Sequence, residues 1–176
     1  MHQLLNLFNR TLRASMLVLT VVFVAFGQAH AADPTPEQMY AEIISAWNAR
    51  DANKLAGLYA ASGSVFTSPN AGENADPARF KAYLQSLFTA VPDFKLEMKQ
   101  SSPISSNYLV DEWVVSGTWS KPFPGGPLAG APATGKKFVL NGSSFHQLKD
   151  GKLVSTVQYY DNMSFLTQIG AIPAGR

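Results

Sequence analysis

The first half of the chain carries apolar residues at helical spacing, separated by short polar breaks. Two of these segments begin with a polar residue followed by proline, Thr35-Pro36 and Asp76-Pro77, which is typical of a helix cap and the first helical position. A shorter helical pattern lies between them, and residues 63–68 alternate as a strand does. The pattern therefore predicts three helices and one short strand in this half.

The second half changes to the alternation expected of strands. Four segments are candidate strands, 94–100, 108–120, 136–148 and 153–160. A short helix is predicted at 162–169, and the polar residues 70–74 are interpreted as a loop. Helices early and strands late favour a single α+β domain, in which the helices pack on one face of an antiparallel sheet.

The segment 121–135 is too rich in proline and glycine for regular structure. Loops of this length in compact domains are often lids or binding loops, and Phe123 and Leu128 would suit a lid over an apolar ligand. A long hairpin connection without a role in binding explains the composition equally well.

One face of the 136–148 strand is apolar at both ends and small or polar in the middle. Its members are Phe138, Leu140, Gly142, Ser144, His146 and Leu148. Because large side chains normally fill a core face, Gly142 and Ser144 predict room for a ligand. His146 is a candidate catalytic residue and the Ser144 hydroxyl a candidate orienting group; the alternative for His146 is a hydrogen-bonded core residue.

Aromatic side chains are abundant enough to line such a cavity and to stack against a flat ligand. The candidates are Trp47, Tyr59, Trp113, Trp119 and Tyr159, each of which is alternatively an ordinary core residue. Asp111 and Glu112 are neighbours on a strand, so they point to opposite faces and do not form a carboxylate pair.

Asp161 follows an Asp-Gly turn and a short aromatic strand. A carboxyl group beside aromatic rings can be partly desolvated, which favours its neutral form and suits it to proton transfer. Asp161 also stands where a strand ends and a helix begins, and aspartate is a preferred N-cap. The sequence leaves both roles open.

The N-terminus has the organisation of a secretory signal peptide. Arg10 and Arg13 precede a short apolar stretch that ends in small residues near Ala31. We therefore predict that residues 1–31 are removed on export, leaving residues 32–176 as a secreted or periplasmic domain that is not attached to a membrane. The alternative, a retained anchor, needs roughly 20 apolar residues, and this stretch is shorter.

Removing the signal peptide changes the composition. The chain has 14 Lys and Arg, of which Arg10 and Arg13 are lost, leaving 12 against 12 Asp and Glu, so we expect no nucleic-acid partner. There is no cysteine, and His146 becomes the only histidine of the mature chain. A cysteine or multi-histidine metal site is excluded by the number of ligands, and no disulfide can form.

Several short motifs occur in an order that resembles the SnoaL-like polyketide cyclases. They are the helix-to-sheet junction Val91-Pro92-Asp93-Phe94-Lys95-Leu96, Ser116-Gly117-Thr118-Trp119, Pro132-Ala133-Thr134-Gly135-Lys136, the turn Asp150-Gly151-Lys152, Tyr159-Tyr160-Asp161, and Gln168-Ile169-Gly170. The resemblance covers roughly residues 39–172.

The resemblance implies a cone, in which a curved sheet with helices on its concave face encloses an apolar pocket. It further implies a homodimer, no cofactor or metal, and an aspartate, matched here by Asp161, that removes a proton next to a carbonyl. Glutamine and histidine positions of those cyclases correspond to Gly142, Ser144, Trp119 and Thr156 in this chain. His146 lies two residues from the expected histidine, on the same face of its strand.

Two functions follow as hypotheses. The first is an exported SnoaL-like domain that binds a small apolar or aromatic carbonyl compound, with Asp161 as acid and base in cyclase or isomerase chemistry. The second is a non-catalytic ligand-binding or dimerisation module, which the missing polar residues favour.

Overall fold

The structure, a computed structural model, describes residues 33–173. The predicted signal peptide lies outside the described residues and stays a prediction. Within residues 33–173, no helix combines the length and apolar character needed to cross a membrane.

Four helices of the described range begin at the polar caps found in the sequence. They are α1 (Pro36–Ala49), α2 (Ala52–Gly57), α3 (Pro77–Ala90) and α4 (Asn162–Gln168). Thr35 accepts a hydrogen bond from the backbone N–H of Gln38, whose side-chain oxygen accepts one from the Thr35 amide, so α1 starts with a reciprocal capping box. Asp76 caps α3 without a reciprocal bond: its carboxylate accepts from the Arg79 amide at 2.8 Å.

Six strands form one sheet in the order β2-β1-β6-β5-β4-β3. They are β1 (Val65–Ser68), β2 (Gly72–Ala75), β3 (Lys95–Ser105), β4 (Tyr108–Thr118), β5 (Lys137–Lys149) and β6 (Lys152–Tyr160). All neighbours pair antiparallel except β1 and β6, which are parallel. The predicted α+β class is confirmed, with the correction that the sheet is mixed.

The predicted polar loop at 70–74 is wrong in part, because Gly72–Ala75 pairs with β1 as an edge strand. Gly72 supplies a left-handed backbone with φ of 84°, and the Asn74 amide donates to the Thr67 hydroxyl at 3.0 Å. An edge strand made of polar residues carries no apolar alternation, so the pattern gave no sign of it.

The core lies between the helices and one face of the sheet. Trp47 of α1 is its centre, with ring centroids 6.4 Å from Phe80, 5.8 Å from Phe88 and 5.5 Å from Phe94. On β5 the buried residues are those of the predicted face, from Phe138 to Leu148. The alternation therefore predicted correctly which side of β5 faces the helices.

The 121–135 segment is fastened to α3. The Ser86 hydroxyl donates to the Gly125 carbonyl at 2.8 Å and accepts from the Gly125 amide at 3.1 Å. Phe123 is buried against Trp119, with ring centroids 5.5 Å apart. These contacts hold the segment over one end of the core.

Candidate functional site

An outer groove of about 750 Å³ lies between α3, the β1–β2 turn, the 121–135 segment and α4. Phe123 and Leu128 line it from the segment, and Phe165 and Leu166 line it from α4. The two residues that the lid hypothesis names are thus in place over an apolar space. The groove has the size of ordinary small-molecule sites, which run from roughly 300 to 1,000 Å³.

An inner cavity of about 50 Å³ continues from the groove toward the sheet. Asn70, Tyr83, Leu87 and Phe165 line both spaces, so they form the neck between them. The rest of the inner cavity is lined by Trp47, Phe94, Leu96, Trp113, Val115, Phe138, Leu140, Gln158 and Tyr160. Its wall is therefore aromatic, with neutral amide and phenol groups and, among residues 33–173, no charged side chain.

A deep cavity of about 10 Å³ lies behind the inner one, next to His146, Thr156 and Tyr59. Trp47 and Gln158 separate the two, since both line each of them. A water molecule needs about 10–15 Å³, so this space is at the lower limit for one water. The inner cavity thus shares lining residues with each of the other two, which share none with each other.

His146 is held between two partners. Its Nε2 lies 3.1 Å from Oδ2 of Asp111, and its Nδ1 lies 3.0 Å from Oγ1 of Thr156. Asp111 also accepts a hydrogen bond from the backbone N–H of Ser144 at 2.9 Å. Because a carboxylate only accepts, Nε2 carries the proton in the neutral imidazole and Nδ1 accepts from the Thr156 hydroxyl.

Two phenols extend this network. Burial raises the pKa of Tyr40, and the negative charge of the nearby Asp111 raises that pKa further, while the Tyr40 hydroxyl itself donates to Sδ of Met98. Burial also raises the pKa of Tyr59, against the lowering effect of a hydrogen bond with Thr156. Both phenols therefore keep their protons at neutral pH.

The order Thr156, His146, Asp111 has the connectivity of a nucleophile, base and acid. Thr156 is only 1% exposed, however, and the space beside it is that of one water. A substrate carbonyl therefore cannot reach its hydroxyl in this conformation. What the arrangement offers is a buried imidazole between a carboxylate and the Thr156 hydroxyl.

Gly142 and Ser144 were predicted to leave room for a ligand, and this interpretation is wrong. A Cβ on Gly142 would lie 2.2 Å from Cη2 of Trp113, so the indole ring occupies that space. The indole N–H donates to the Ser144 hydroxyl at 2.7 Å. The small residues of β5 accommodate Trp113 of the neighbouring strand, and neither lines the three cavities.

Asp161 does not project into an apolar pocket, which corrects that expectation. The residue is exposed, and its carboxylate accepts a hydrogen bond from the Ser164 amide at 2.9 Å as the N-cap of α4. The capping alternative describes its position, because a strand ends at Tyr160 and a helix begins at Asn162. Asp161 and His146 are not brought together.

The other aromatic candidates divide into three groups. Trp47 and Trp113 line the inner cavity, and Tyr59 lines the deep one. Trp119 is buried against Phe123 and lines none of the three, and its Nε1 has no hydrogen-bond partner among the described residues. Tyr159 is 59% exposed on the opposite face of the sheet, so its predicted place in the pocket is wrong.

Sequence reasoning missed Asp111 as the partner of His146. The signal was available, because Asp111 lies two residues before Trp113 and therefore on the same, inward face of β4. It also missed Gln158 and Tyr83, whose side chains separate the cavities. The described residues contain no group of three or more His, Asp or Glu side chains that could hold a metal ion.

The family model described as SnoaL-like polyketide cyclase matches residues 37–169. No curated protein matches the sequence.

Solved structures share the fold. AclR, a candidate hydroxylase from Streptomyces galilaeus, has a TM-score of 0.66 and 19% identity over 80% of this chain and 83% of its own. IdmH, a candidate polyketide cyclase from Streptomyces antibioticus, has a TM-score of 0.63 and 24% identity over 77% and 98%. A protein of ketosteroid isomerase-like fold from Catenulispora acidiphila, in complex with trimethylamine, has a TM-score of 0.62 and 17% identity over 78% and 95%. At these identities the likeness shows the fold.

Proposed function

This chain belongs to the SnoaL-like polyketide cyclase family, and from that premise we propose that it binds a small, largely apolar carbonyl compound. The observation that carries the proposal is the largely apolar outer groove, in which Arg79 is the one charged lining residue, together with an uncharged inner cavity that shares four lining residues with it. An apolar wall with a few neutral donors suits a ligand whose polar atoms are hydrogen-bond acceptors.

The volumes define how such a ligand lies. The outer groove, about 750 Å³, holds its apolar body, whereas the inner cavity, about 50 Å³, admits only one end of it. The side chains at the neck therefore meet the polar end of the ligand. A carboxylate is disfavoured there, because the inner cavity offers no cation and burial of an unpaired charge is costly.

Filling the groove tests this proposal. Leu166 lines the groove on α4, so Leu166→Trp should displace ligand, while Ile104→Trp adds bulk at a position of β3 that is 67% exposed and lies outside the groove. The probe is 2-acetylnaphthalene, and isothermal titration calorimetry measures its binding. We expect binding to the parent protein and to Ile104→Trp, and a strong loss with Leu166→Trp. Absence of binding to the parent protein would contradict the proposal.

Proton transfer is a second candidate function, supported by the buried pair of His146 and Asp111 behind the inner cavity. In this mechanism His146 takes a proton from the carbon next to the ligand carbonyl, through the Thr156 hydroxyl and one water, and then returns it. Asp111 stabilises the imidazolium that forms. Asp161, the candidate base indicated by the family resemblance, is exposed, and its carboxylate already accepts a hydrogen bond from the Ser164 amide.

Deuterium exchange tests this mechanism without knowledge of the natural substrate. In D2O, NMR follows loss of the methyl protons of 2-acetylnaphthalene, which exchange only through the enol or enolate. We expect protein-dependent exchange that His146→Gln abolishes and Asp161→Asn retains. Binding without exchange would leave the ligand-binding module as the function, and loss of exchange in Asp161→Asn alone would restore Asp161 as the base.

A homodimer through the outer sheet face is also proposed. Val139, Phe145 and Tyr159 are 55%, 48% and 59% exposed there, and the rings of Phe145 and Tyr159 pack edge to face at 6.0 Å. Grouped apolar residues on a surface mark interaction sites. Analytical ultracentrifugation should show a dimer that Phe145→Asp converts to a monomer, with Met163→Asp, at another exposed apolar position, as the control.

Export completes the proposal and rests on the sequence of residues 1–31 alone. Expression of the full chain in a bacterial host should place the protein outside the cytoplasm. N-terminal sequencing of that protein should begin near Ala32. A cytoplasmic protein that keeps Arg10 and Arg13 would overturn this part.

A further inference from the structure

We infer that the ligand of the outer groove carries a carboxylate, and that the guanidinium of Arg79 binds this carboxylate at the wall of the groove. The inference rests on the proposed function, because it adds a charged group to the apolar ligand proposed there and defines which way that ligand lies. Arg79 belongs to the first turn of α3, which begins at Pro77. It lines the groove together with residues of the turn between β1 and β2.

Charge is unevenly distributed between the outer groove and the inner cavity. Arg79 is the one charged residue that lines the groove. The inner cavity is lined by no charged side chain among residues 33–173. A ligand carboxylate is therefore disfavoured at the inner end, because burial of an unpaired charge is costly, and is favoured at the outer end, where a cation is present.

The side chain of Arg79 extends from α3 to the turn between β1 and β2. Its Nη2 lies 3.6 Å from the position that a Cβ would occupy on Gly72. Gly72 lines the same groove, so the turn presents only backbone to this end of the arginine. The charged end of Arg79 is thereby located against the groove wall, within reach of a ligand that fills the groove.

The guanidinium of Arg79 makes no hydrogen bond or ion pair with another residue of the range 33–173, where the close acid–base pairs involve other side chains. Two acids are near it in sequence. The carboxylate of Asp76 accepts the backbone N–H of Arg79 at 2.8 Å as the cap of α3, and Glu73 is exposed on β2. Since a guanidinium has five N–H donors in one plane, Arg79 can offer two of them to a planar acceptor.

A carboxylate fits this cation better than a phosphate monoester does. Arginine binds a carboxylate through two parallel N–H···O bonds, and one cation neutralises one negative charge. A phosphate monoester carries about 1.5 to 2 negative charges at neutral pH. Glu73 directly follows Gly72, and Asp76 caps the same helix, so additional negative charge would be repelled here. The ligand class is therefore a keto acid with an apolar body, whose acid end stays in the outer groove.

The experiment compares 6-acetyl-2-naphthoic acid with its primary amide, which has nearly the same shape and no charge. Isothermal titration calorimetry gives the ratio of the two affinities for each protein. Arg79→Gln should shift this ratio toward the amide by about 2- to 5-fold, the contribution of one exposed ion pair. Lys81→Gln should leave the ratio unchanged, because Lys81 is on the same helix and is not among the residues that line the groove.

Salt provides a second measurement that needs no variant. Raising the concentration of sodium chloride from about 0.05 M to about 0.5 M should weaken binding of the acid to the parent protein and leave binding of the amide nearly unchanged. The ratio compares two ligands on one protein, so a partly unfolded variant lowers both affinities together and the comparison still holds.

An affinity ratio that is the same in the parent protein and in Arg79→Gln would show that the inference about Arg79 is wrong. The same holds if 2-acetylnaphthalene binds the parent protein and neither the acid nor the amide does. In both cases the proposed binding function stands, because it requires only the neutral ketone. If none of the three compounds binds the parent protein, the proposed function fails and the inference fails with it.

Discussion

Nε2 of His146 lies 3.1 Å from Oδ2 of Asp111, and each side chain is only 4% exposed. The two residues are on neighbouring strands, where Asp111 pairs with Ser144 and the His146 side chain reaches across. Asp111 thereby has both oxygens occupied by donors, one from a side chain and one from the Ser144 amide. Because buried polar groups need hydrogen-bond partners, we expect the stability of the fold to depend on these two donors.

Asp111→Asn should therefore destabilise the protein. An amide offers one accepting oxygen, so either the Ser144 amide or His146 would face an NH2 group, and we expect a loss of about 1–3 kcal/mol in the free energy of unfolding. Urea unfolding measures it. Glu112→Gln is the control, because Glu112 is the exposed neighbour on the other face. Equal midpoints for the two variants would show that the pair contributes nothing to stability.

Gly142→Ala should destabilise the protein more than the addition of one methyl group suggests. The new methyl group would lie 2.2 to 2.6 Å from three atoms of the Trp113 ring, which must move and would lose its hydrogen bond to Ser144. Overpacking of this kind is unfavourable by roughly 1–3 kcal/mol. Gly57→Ala, where nothing lies within 4 Å, is the matched control.

Near-ultraviolet circular dichroism and thermal unfolding report the movement of the indole ring. The double variant with Trp113→Phe should recover part of the lost stability, because a smaller ring vacates the space over residue 142. If Gly142→Ala unfolds at the same temperature as the parent protein, the close approach of Trp113 is not rigid.

The sequence predicted the fold far better than the site. Caps at Thr35 and Asp76, and alternation along β5, are local signals that specify helices and buried faces directly. Whether a small residue such as Gly142 borders a cavity depends on the strand beside it, because Trp113 fills the space and lies 29 positions away. No pattern within β5 contains that information.

Asp161 also shows that neighbours in sequence do not define the surroundings of a side chain. Its neighbours in sequence are aromatic, but Tyr159 faces outward and Tyr160 lines the inner cavity, so adjacency along the chain did not imply a desolvated carboxylate. In the sequence, Asp111 stands out only as one of two adjacent acids. Its inward position followed from the alternation of β4, and its partner could be identified only from the pairing of β4 with β5.

Asp161→Ala should weaken α4 without changing the ligand site. Loss of the bond to the Ser164 amide is expected to reduce the free energy of unfolding by about 1 kcal/mol, and Asp161→Ser should retain most of it because serine also caps helices. Chemical denaturation of the two variants makes the comparison. A free energy of unfolding for Asp161→Ala equal to that of the parent protein would show that the cap does not contribute to stability.

Stability should fall at alkaline pH. The pKa values of Tyr40, Tyr59, Tyr83 and Tyr160 all lie above the ordinary value of 10.0, chiefly because burial disfavours the phenolate. Below pH 10 these phenols are protonated in both the folded and the unfolded chain, so their full contribution to the free energy of unfolding is present. Above pH 10 the unfolded chain ionises first, and this contribution is lost as the pH rises. Urea midpoints measured at about pH 8 and about pH 11 should therefore differ.

Tyr83→Phe provides the control for this effect. Burial raises the pKa of Tyr83 well above 10.0, and a hydrogen bond with Tyr160 raises it further, so removing this phenol should make the alkaline loss of stability smaller. Tyrosinate absorbance should appear together with unfolding rather than before it for the buried residues. A loss of stability identical in the variant would show that Tyr83 does not contribute.

Ser86→Ala should loosen the segment over the outer groove. Ser86 makes two hydrogen bonds to Gly125, one donated and one accepted, and with Phe123 it holds residues 121–135 on α3. Without it, hydrogen exchange at residues 121–130 should accelerate, and 2-acetylnaphthalene should dissociate faster if that segment covers the ligand. Thr89→Ala is the control, since the Thr89 hydroxyl bonds only within the helix, to Gln85. Faster exchange with an unchanged dissociation rate would mean that the segment is a connection between strands and does not act as a lid.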